Sequence, residues 1–382
     1  MTPFLLSHFT ATSCIGRGLA AHRAALEGTA SGLKRCDFET VRLDTWIGEV
    51  AGVDDARLPA ALAHHDCRNN RLAMLGLEAD GFADAVRAAI GRSGRRRVAV
   101  VLGTSTSGIL QTELAYRRRD PATGALPDDF IYATTHNTYS VAGFTREYFG
   151  LEGPAAAVST ACSSSAKVFA AAARMIQCGL VDAAIVGGVD SLCLTTLYGF
   201  GSLELTSPRP CRPYDAGRNG ISIGEGAGFA LLEKPPGSLD AAAILLLGAG
   251  ESSDAYHMSS PHPEGLGARL AIERALADAG LTPADIDYVN LHGTATPSND
   301  AAEGKAVAAV FGDAVPMSST KGATGHTLGA AGAIEAVVCA LALRHGFLPG
   351  SANTGQLDPA IPIDYLLATR RGDVKRALSN SF

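Results

Sequence analysis

Short apolar runs alternate along this chain with longer alanine-rich stretches in which apolar positions recur at helical spacing. The apolar runs predict buried β-strands at 97–102, 183–187, 229–233 and 244–248. The alanine-rich stretches predict helices at 16–33, 71–91, 161–179, 266–280 and 328–345. Strands and helices that alternate in this way indicate an α/β fold in which helices cover buried sheets.

The composition narrows the class of protein. Of the 382 residues, 47% are hydrophobic and 18% charged, which is enough apolar surface for a large core. A net charge of −6 gives no sign of nucleic-acid binding. Uninterrupted apolar stretches of membrane-spanning length and a signal-peptide pattern are missing, so we expect no membrane span and a cytoplasmic location. The eight cysteines have no paired spacing and are expected to be reduced thiols.

Two pairs of segments suggest an internal duplication. An apolar strand followed by Gly-Thr-Ser-Thr-Ser at 98–107 is echoed at 286–298, where the strand is followed by His-Gly-Thr-Ala-Thr. Likewise, 159–179 and 319–346 both begin with Ser-Thr and end with a helix and a glycine. We therefore predict two diverged halves, 1–240 and 241–382, whose paired strand-to-helix corners lie side by side about a pseudo-two-fold axis.

Cys162 lies at one of these corners, in the small-residue turn Ser-Thr-Ala-Cys162-Ser-Ser. A lone cysteine is usually a buried structural residue. At the beginning of a helix, however, it meets backbone N–H groups and the positive end of the helix dipole, which favour the thiolate. We therefore expect a nucleophile whose pKa is lowered.

The second half carries two histidine motifs. They read Leu-His292-Gly-Thr294-Ala-Thr296-Pro and Lys321-Gly-Ala-Thr-Gly-His326-Thr-Leu-Gly. A lone histidine or lysine usually has a structural or surface role. In combination with a candidate nucleophile in the other half, the two motifs instead indicate one shared catalytic site.

In this order, the cysteine motif and the two histidine motifs resemble those of the elongating β-ketoacyl-acyl carrier protein synthases, over essentially the whole chain. The resemblance implies a thiolase-like, five-layer αβαβα fold built from two pseudo-two-fold related halves. It implies an acyltransferase that condenses malonyl carrier protein, with loss of CO2, with an acyl chain held on a cysteine. This chemistry serves fatty-acid or polyketide-type biosynthesis.

The same resemblance implies roles for individual residues. Cys162 would accept the acyl group, and His292 and His326 would stabilise the enolate oxyanion through their Nε2 donors. Four further residues would support the site: Lys321 would order it together with Glu303, and the hydroxyls of Thr294 and Thr296 would contact the pantetheine arm.

No cofactor is expected beyond the phosphopantetheine of an acyl carrier protein, which carries the substrates. No metal site is expected either. His64 and His65 are adjacent in sequence, and His257 with His262 lacks further ligands. The relatives continue after the segment that ends here at Phe382 with a Gly-Phe-Gly-Gly-type loop and a last strand. This sequence stops before both, so either it is a shortened piece of the protein or the protein lacks the loop and the strand.

Three segments suggest a subclass and a partner. The runs 104–116, 127–132 and 191–200 look most like the catalytic synthases of bacterial aryl-polyene clusters. That likeness implies an aryl-primed polyene chain, an acyl carrier protein, and a dimer partner that is either a second copy or a chain-length-factor-like subunit. Residues around 104–140 would contribute to the dimer interface.

Two alternatives stay open at the level of sequence. A thiolase-type acyltransferase shares the fold and the cysteine nucleophile, but it works on coenzyme A and uses a second catalytic cysteine. A chain-length-factor-like subunit would only shape the pocket of a catalytic partner, and such subunits typically lack the nucleophile.

Overall fold

The computed structural model describes residues 1–257 and 260–382. Its β-strands are β1 (Phe4–Ser13), β2 (Gly16–Arg17), β3 (Lys34–Arg35), β4 (Trp46–Gly48), β5 (Val98–Gly103), β6 (Ala155–Val158), β7 (Ala183–Asp190), β8 (Ile223–Gly224), β9 (Gly226–Glu233), β10 (Leu245–Leu246), β11 (Tyr288–Asn290), β12 (Met317–Ser318), β13 (Phe347–Leu348), β14 (Arg370–Arg371) and β15 (Ala377–Ser379). Its α-helices are α1 (Leu19–Glu27), α2 (Arg68–Leu77), α3 (Phe82–Ser93), α4 (Ile109–Arg117), α5 (Ser140–Tyr148), α6 (Ser164–Gln177), α7 (Leu194–Ser202), α8 (Leu266–Ala279), α9 (Pro297–Phe311), α10 (Lys321–Thr324) and α11 (Ala331–His345). Short 3-10 helices lie at Ala60–His65, Pro283–Asp285 and Leu328–Ala330.

One large sheet runs in the order β10-β1-β9-β7-β5-β6, with β2 folded back onto β1. The strands β7, β5 and β6 are parallel, whereas β9 pairs antiparallel with both β1 and β7. Every residue of β5 is buried, and its side chains alternate between the two faces. Both faces of this sheet are therefore covered.

The hydrophobic clusters define five layers. Helices α2, α3 and α5 pack on one face of the large sheet, against Val100, Ile185 and Phe229. Helices α6 and α11 pack on its other face. The opposite side of α11 contacts Tyr288 of a second, parallel sheet ordered β12-β11-β15, and α8 and α9 cover the outside of that sheet. The predicted αβαβα fold is confirmed.

The two helices of the middle layer cross where they begin. A Cβ added to Gly332 of α11 would lie 2.6 Å from the backbone nitrogen of Ala166 in α6. At the same crossing, the Ser165 hydroxyl accepts a hydrogen bond from the Ala333 backbone nitrogen at 2.9 Å. Only small residues allow this approach, which brings the corner before α6 next to the corner before α11.

Most of the predicted elements are confirmed, but two predicted helices differ from the observed ones, and β1, β6, α4, α5, α7 and α9 were not predicted. The predicted helix at 71–91 is two helices, broken where Asp80 and Gly81 adopt positive φ. The helix predicted at 16–33 is only Leu19–Glu27. The ten-residue strand Phe4–Ser13 was not predicted, because serine, histidine and threonine interrupt its apolar pattern.

In the described part of the chain, one segment, Leu328–His345, is long and apolar enough to cross a membrane, but 78% of it is buried inside the fold. It contributes α11 to the middle layer and reads as a core helix. The division into halves at 240/241 stays a prediction, although β10 joins the large sheet from beyond that boundary.

Gly103 and Gly91 provide a matched test of this packing. A Cβ on Gly103, at the end of β5, would lie 2.4 Å from the Ser165 backbone nitrogen, whereas one on Gly91, inside α3, would meet nothing within 4 Å. We expect Gly103→Ala to lower the free energy of unfolding by about 1–3 kcal/mol because it overpacks the contact with α6. Gly91→Ala should raise it by up to about 1 kcal/mol through helix propensity.

Denaturant unfolding of both variants beside the parent protein measures the two shifts. Equal midpoints for Gly103→Ala and the parent would contradict the close contact between β5 and α6.

Candidate active site

Cys162 lies in a tight turn between β6 and α6. The preceding residue, Ala161, has φ of 53°, in the left-handed region that non-glycine residues seldom adopt. Three serine hydroxyls hold the turn. Two of them bind Thr160: Ser164 Oγ accepts from its backbone nitrogen at 2.8 Å, and Ser163 Oγ donates to its carbonyl oxygen. The third, Ser105 Oγ, donates to the Ala161 carbonyl oxygen at 3.2 Å. The turn therefore fixes the thiol in the cavity, where the residue is half-buried.

His326 faces the thiol directly. Its Nε2 lies 2.9 Å from Cys162 Sγ. Its backbone is held by the segment before β9, since the His326 nitrogen donates to the Ser222 carbonyl oxygen at 2.7 Å and its carbonyl oxygen accepts from the Gly224 nitrogen at 2.9 Å. Nδ1 of the same ring is buried without a hydrogen-bond partner among the described residues. The fold thus fixes the position of the ring while leaving its tautomer free.

His292 lies across the cavity, with its ring centroid 5.3 Å from that of His326. The Lys321 ammonium donates to the His292 carbonyl oxygen at 2.6 Å and lies 3.4 Å from His292 Nδ1. Because an ammonium can only donate, Nδ1 must be the acceptor and Nε2 must carry the proton. His292 is therefore set as an N–H donor toward the cavity.

The carboxylate bound to Lys321 is that of Glu335 on α11, through a short buried ion pair. The ammonium thereby has three acceptors for its three protons. Glu303, which the sequence analysis expected to work with Lys321, lies on the other side of His292. The partnership implied by the resemblance is corrected in this respect: Glu335 pairs with the lysine, and Glu303 positions the histidine backbone.

Glu303 is fully buried and accepts four hydrogen bonds. Its two oxygens accept from the backbone nitrogens of His292 and Gly293, each at 2.7 Å, from the Tyr214 hydroxyl at 3.0 Å and from Asn380 Nδ2 at 3.1 Å. This network fixes the loop after β11 and therefore the direction of the His292 side chain.

Asp190 is a positioning residue that the sequence analysis missed. Its buried carboxylate, at the end of β7, accepts from the Thr104 hydroxyl, from the Ser105 backbone nitrogen and from the Gly329 backbone nitrogen, the last at 2.6 Å. It therefore ties the loop that supports the Cys162 turn to the loop that follows His326. An aspartate that ends an apolar strand was the only signal in the sequence.

A cavity of about 700 Å³ joins these groups. Cys162, His292 and His326 line it, as do Thr294 and Thr296, whose hydroxyl oxygens lie 3.0 Å apart. Further along, the wall is mainly apolar and includes Phe200, Leu205, Ile221, Ala170, Ala271 and Leu343. The Phe382 ring packs edge-on against His292, with centroids 5.3 Å apart. All seven predicted site residues thus lie in or directly behind one cavity.

Burial governs the protonation of the site. It lowers the pKa of both His292 and His326 well below the ordinary value, and the Lys321 charge lowers them further, so both rings are neutral. Burial also raises the pKa of the Cys162 thiol to about 12, although Lys321 acts in the opposite direction. The expectation of a lowered cysteine pKa is therefore wrong. The thiol is protonated at rest, and His326 is the proton acceptor within reach.

The donor atoms of Cys162, His292 and His326 all lie within 4.8 Å of one another, so these residues could also hold a metal ion. The expectation that no metal binds the site stays a prediction. The geometry itself provides a nucleophile, a proton acceptor and a fixed N–H donor around one cavity, which is suited to acyl transfer.

Two protein-family models match this chain, and together they cover all seven predicted site residues. The family described as beta-ketoacyl synthase, N-terminal domain, matches residues 77–236, and the one described as beta-ketoacyl synthase, C-terminal domain, matches residues 243–355. The first range contains Cys162, and the second contains the other six predicted residues.

Three similar proteins agree with this match. Nodulation protein E of Rhizobium meliloti is 36% identical over 294 residues, covering 75% of this chain and 72% of that protein. The 3-oxoacyl-[acyl-carrier-protein] synthase 2 of Vibrio harveyi is 36% identical over 302 residues, with the same coverage. The ketosynthase ApeO of Xenorhabdus doucetiae, solved in complex with its chain length factor, superposes with a TM-score of 0.87 at 38% identity, covering 100% of this chain and 94% of that one.

The reactivity of Cys162 tests its protonation. We expect its alkylation rate by iodoacetamide to keep rising with pH beyond about 8.5, the ordinary pKa of a cysteine, because burial raises the pKa of this thiol. We expect His326→Ala to slow the reaction at neutral pH by at least about tenfold, since the proton acceptor is lost. Peptide mass spectrometry reports the rate at Cys162, with the exposed Cys178 as an internal reference for the reagent. A rate that levels off below neutral pH would mean a lowered pKa instead.

Glu303 gives a pH-dependent contribution to stability. Burial raises its pKa from 4.5 to about 7, so between these values the folded state holds a proton that the unfolded state has released. The protonated Glu303 makes its full contribution to the free energy of unfolding below pH 4.5, and this contribution is lost as the pH rises through 7. We expect the free energy of unfolding to fall across this window by up to about 3 kcal/mol from this residue.

In Glu303→Gln this part of the pH-dependent fall should disappear. The variant should also be less stable at pH 5, because its amide nitrogen replaces one carboxyl oxygen and then faces two of the four hydrogen-bond donors. The control Glu264→Gln removes an exposed carboxylate whose pKa is lowered by its ion pair with Lys305, so it should keep the fall. Denaturant titrations at several pH values measure how the free energy of unfolding of each variant changes with pH. An unchanged slope in Glu303→Gln would assign the titration to another group.

Proposed function

The chain belongs to the β-ketoacyl synthase family, and from that premise we propose that it condenses malonyl carrier protein, with loss of CO2, with an acyl chain carried on Cys162. One observation supports this most directly: Cys162 Sγ lies 2.9 Å from a neutral His326, with the fixed N–H donor of His292 on the same cavity. A nucleophile, a proton acceptor and an oxyanion donor are the groups that the reaction needs.

In the first step, Cys162 Sγ attacks the carbonyl carbon of an acyl thioester on a carrier protein. Because the free thiolate is costly in this buried site, the thiol proton moves to His326 Nε2 as the new S–C bond forms. The bond to the pantetheine sulfur then breaks, and that sulfur leaves with the proton from His326. The acyl group is now a thioester of Cys162, and His326 is neutral again.

In the second step, the C–C bond to the malonyl carboxylate breaks and CO2 leaves. The electron pair moves into an enolate, whose oxygen accepts hydrogen bonds from Nε2 of His292 and of His326. His326 accepts in the first step as its Nδ1–H tautomer and donates here as its Nε2–H tautomer. This change moves the ring proton from Nδ1 to Nε2 through solvent, and no described residue accepts a hydrogen bond from Nδ1 to oppose it. The enolate carbon then attacks the acyl carbonyl, the bond to Cys162 breaks, and the released sulfur takes up a proton from water.

The remaining predicted residues have supporting roles. Lys321 and Glu303 hold His292 from two sides, and the Lys321 charge also stabilises negative charge that develops in the cavity. Thr294 and Thr296 offer hydroxyls at the cavity wall where the pantetheine arm would pass. No resident cofactor is needed for these steps, since the carrier protein brings its own phosphopantetheine.

We propose further that the acyl chain is an aryl-primed polyene and that the protein works in the cytoplasm. The segments on which the aryl-polyene likeness rests include the loop before α4 and the start of α7, and these two helices share a hydrophobic cluster with Leu328, two residues after His326. Phe200, at the end of one such segment, lines the cavity. An apolar, aromatic wall suits a rigid unsaturated chain.

The partner is a carrier protein together with a second synthase subunit, either another copy of this chain or a chain-length-factor-like protein. Strand β6 is the edge of the large sheet, and the neighbouring region exposes Tyr132 and Tyr139. An unpaired edge beside exposed aromatic residues favours a dimer in which two sheets join. Cys162 makes this chain the catalytic member of such a pair.

Intact-protein mass spectrometry tests the proposal. After mixing with an acyl-loaded carrier protein, the chain should gain the mass of the acyl group, and Cys162→Ala should gain none. His292→Ala should still load but should release little CO2 from malonyl carrier protein. A requirement for an added chain-length-factor-like subunit would identify a heterodimer.

No mass gain with or without that subunit would contradict the synthase function. The acyl class is decided in the same assay: aryl-polyenoyl carriers should load and turn over faster than saturated ones of equal length. Equal or faster use of saturated chains would overturn the aryl-polyene proposal while leaving the synthase chemistry in place.

A further inference from the structure

A second group of metal-ligand side chains lies on the outer layer of the fold. His64 and His65 end the 3-10 helix Ala60–His65, and Glu147 lies on α5. Glu147 Oε2 is 3.2 Å from His64 Nε2 and 3.0 Å from His65 Nε2, and the two imidazole rings lie 4.4 Å apart. The sequence shows only two neighbouring candidate ligands, His64 and His65. In the folded protein Glu147 is close enough to be a third.

The hydrogen bonds of His65 leave one of its contacts unexplained. This ring is buried, its Nδ1 lies 3.3 Å from the Thr134 carbonyl oxygen, and its Nε2 faces the Glu147 carboxylate. Both neighbours are acceptors, but a neutral imidazole has only one N–H group. If Nδ1 donates to Thr134, the lone pair of Nε2 points at a carboxylate. A second proton or a cation between Nε2 and the carboxylate would resolve this conflict.

The spacing of the three donor atoms fits a metal ion. Zinc bonds of about 2.0–2.2 Å to imidazole nitrogen and carboxylate oxygen, arranged as a tetrahedron, place neighbouring ligand atoms about 3.3 Å apart. The two contacts to Glu147 Oε2 are close to that length, and all three donor atoms lie within 4.8 Å of one another. The carbonyl of Thr134 would hold the Nδ1 proton of His65, as the outer partner of a ligating histidine usually does.

We propose that His64, His65 and Glu147 bind a divalent transition-metal ion of the zinc class, with the fourth position open to water. His64 is half-buried and Glu147 is exposed, so the ion can enter from solvent, while the buried His65 anchors it to the fold. The ion would join the 3-10 helix to α5. Asn70 of α2 already links these two elements, since its amide donates to the His65 carbonyl oxygen and to the Ser140 hydroxyl. The site would therefore stabilise the outer layer.

The active site must be removed as a competitor, because Cys162, His292 and His326 form the other cluster of this kind within residues 1–257 and 260–382. The experiment therefore uses untagged, metal-free Cys162→Ala protein. Isothermal titration with Zn²⁺ measures stoichiometry and Kd, and Co²⁺ absorption reports the coordination geometry. We expect one equivalent of Zn²⁺ and the intense visible bands of tetrahedral Co²⁺.

Adding His64→Ala or Glu147→Gln to this protein should raise the Kd for Zn²⁺ by at least about tenfold. His64 is exposed enough for its removal to leave the fold intact, which circular dichroism checks. The control Glu152→Gln removes an exposed carboxylate paired with Arg96 and should leave the Kd unchanged. Zn²⁺ should also raise the melting temperature of the Cys162→Ala protein, but not that of the protein that carries His64→Ala as well.

Failure to bind Zn²⁺ or Co²⁺ in the Cys162→Ala protein would overturn the proposal, and so would a Kd that His64→Ala and Glu147→Gln leave unchanged. In the first case the contacts of His64 and His65 with Glu147 are hydrogen bonds and hold no metal ion. In the second, the ion lies elsewhere on the chain.

Discussion

The active site depends on the close crossing of α6 and α11 at their first turns. Gly332 and Ala166 leave no room for a larger side chain at the crossing, and the Ser165 hydroxyl joins the two helices there. Each helix begins just after a corner that carries a reactive group. Because the two helices touch where they begin, the corners face each other, and Cys162 lies 2.9 Å from His326 although 164 positions separate them in the chain. The small residues in both motifs are therefore needed because they let α6 and α11 pack closely enough to bring Cys162 and His326 together.

A second constraint is the cost of charge inside the protein. Lys321 is buried, and its charge is compensated by Glu335 and by the His292 carbonyl oxygen. Its positive field and burial together keep both histidines neutral. The resting site is therefore rich in hydrogen-bond donors and acceptors but has little net charge. Such a site accepts a neutral thioester readily, and its fixed dipoles are already oriented when negative charge develops during the reaction.

The sequence predicted the layered α/β fold, the middle-layer helices and the cavity residues, because each depends on a local pattern or a short motif. It did not predict what depends on contacts between distant segments. Strand β1 contains Thr10, whose hydroxyl is buried because it donates to Asp80 at 2.7 Å, and the same carboxylate accepts from the first residue of α1. The polar residue Thr10 interrupts the apolar pattern of β1, so the strand was not predicted, and its partner Asp80 lies at the break between α2 and α3. The pairing of Lys321 with Glu335 and the role of Asp190 likewise arise only when the chain is folded.

The protonation of Cys162 shows which of two opposing effects is larger. A helix N-terminus stabilises a nearby negative charge by about 0.3–1 kcal/mol in most settings. The rise of the pKa of the thiol from 9.0 to about 12 corresponds to a cost of about 4 kcal/mol for the thiolate. Desolvation therefore outweighs the helix dipole, and the nucleophile stays protonated until a thioester is in place. Proton transfer to His326 then accompanies attack, so the loading step forms no isolated thiolate in the cavity.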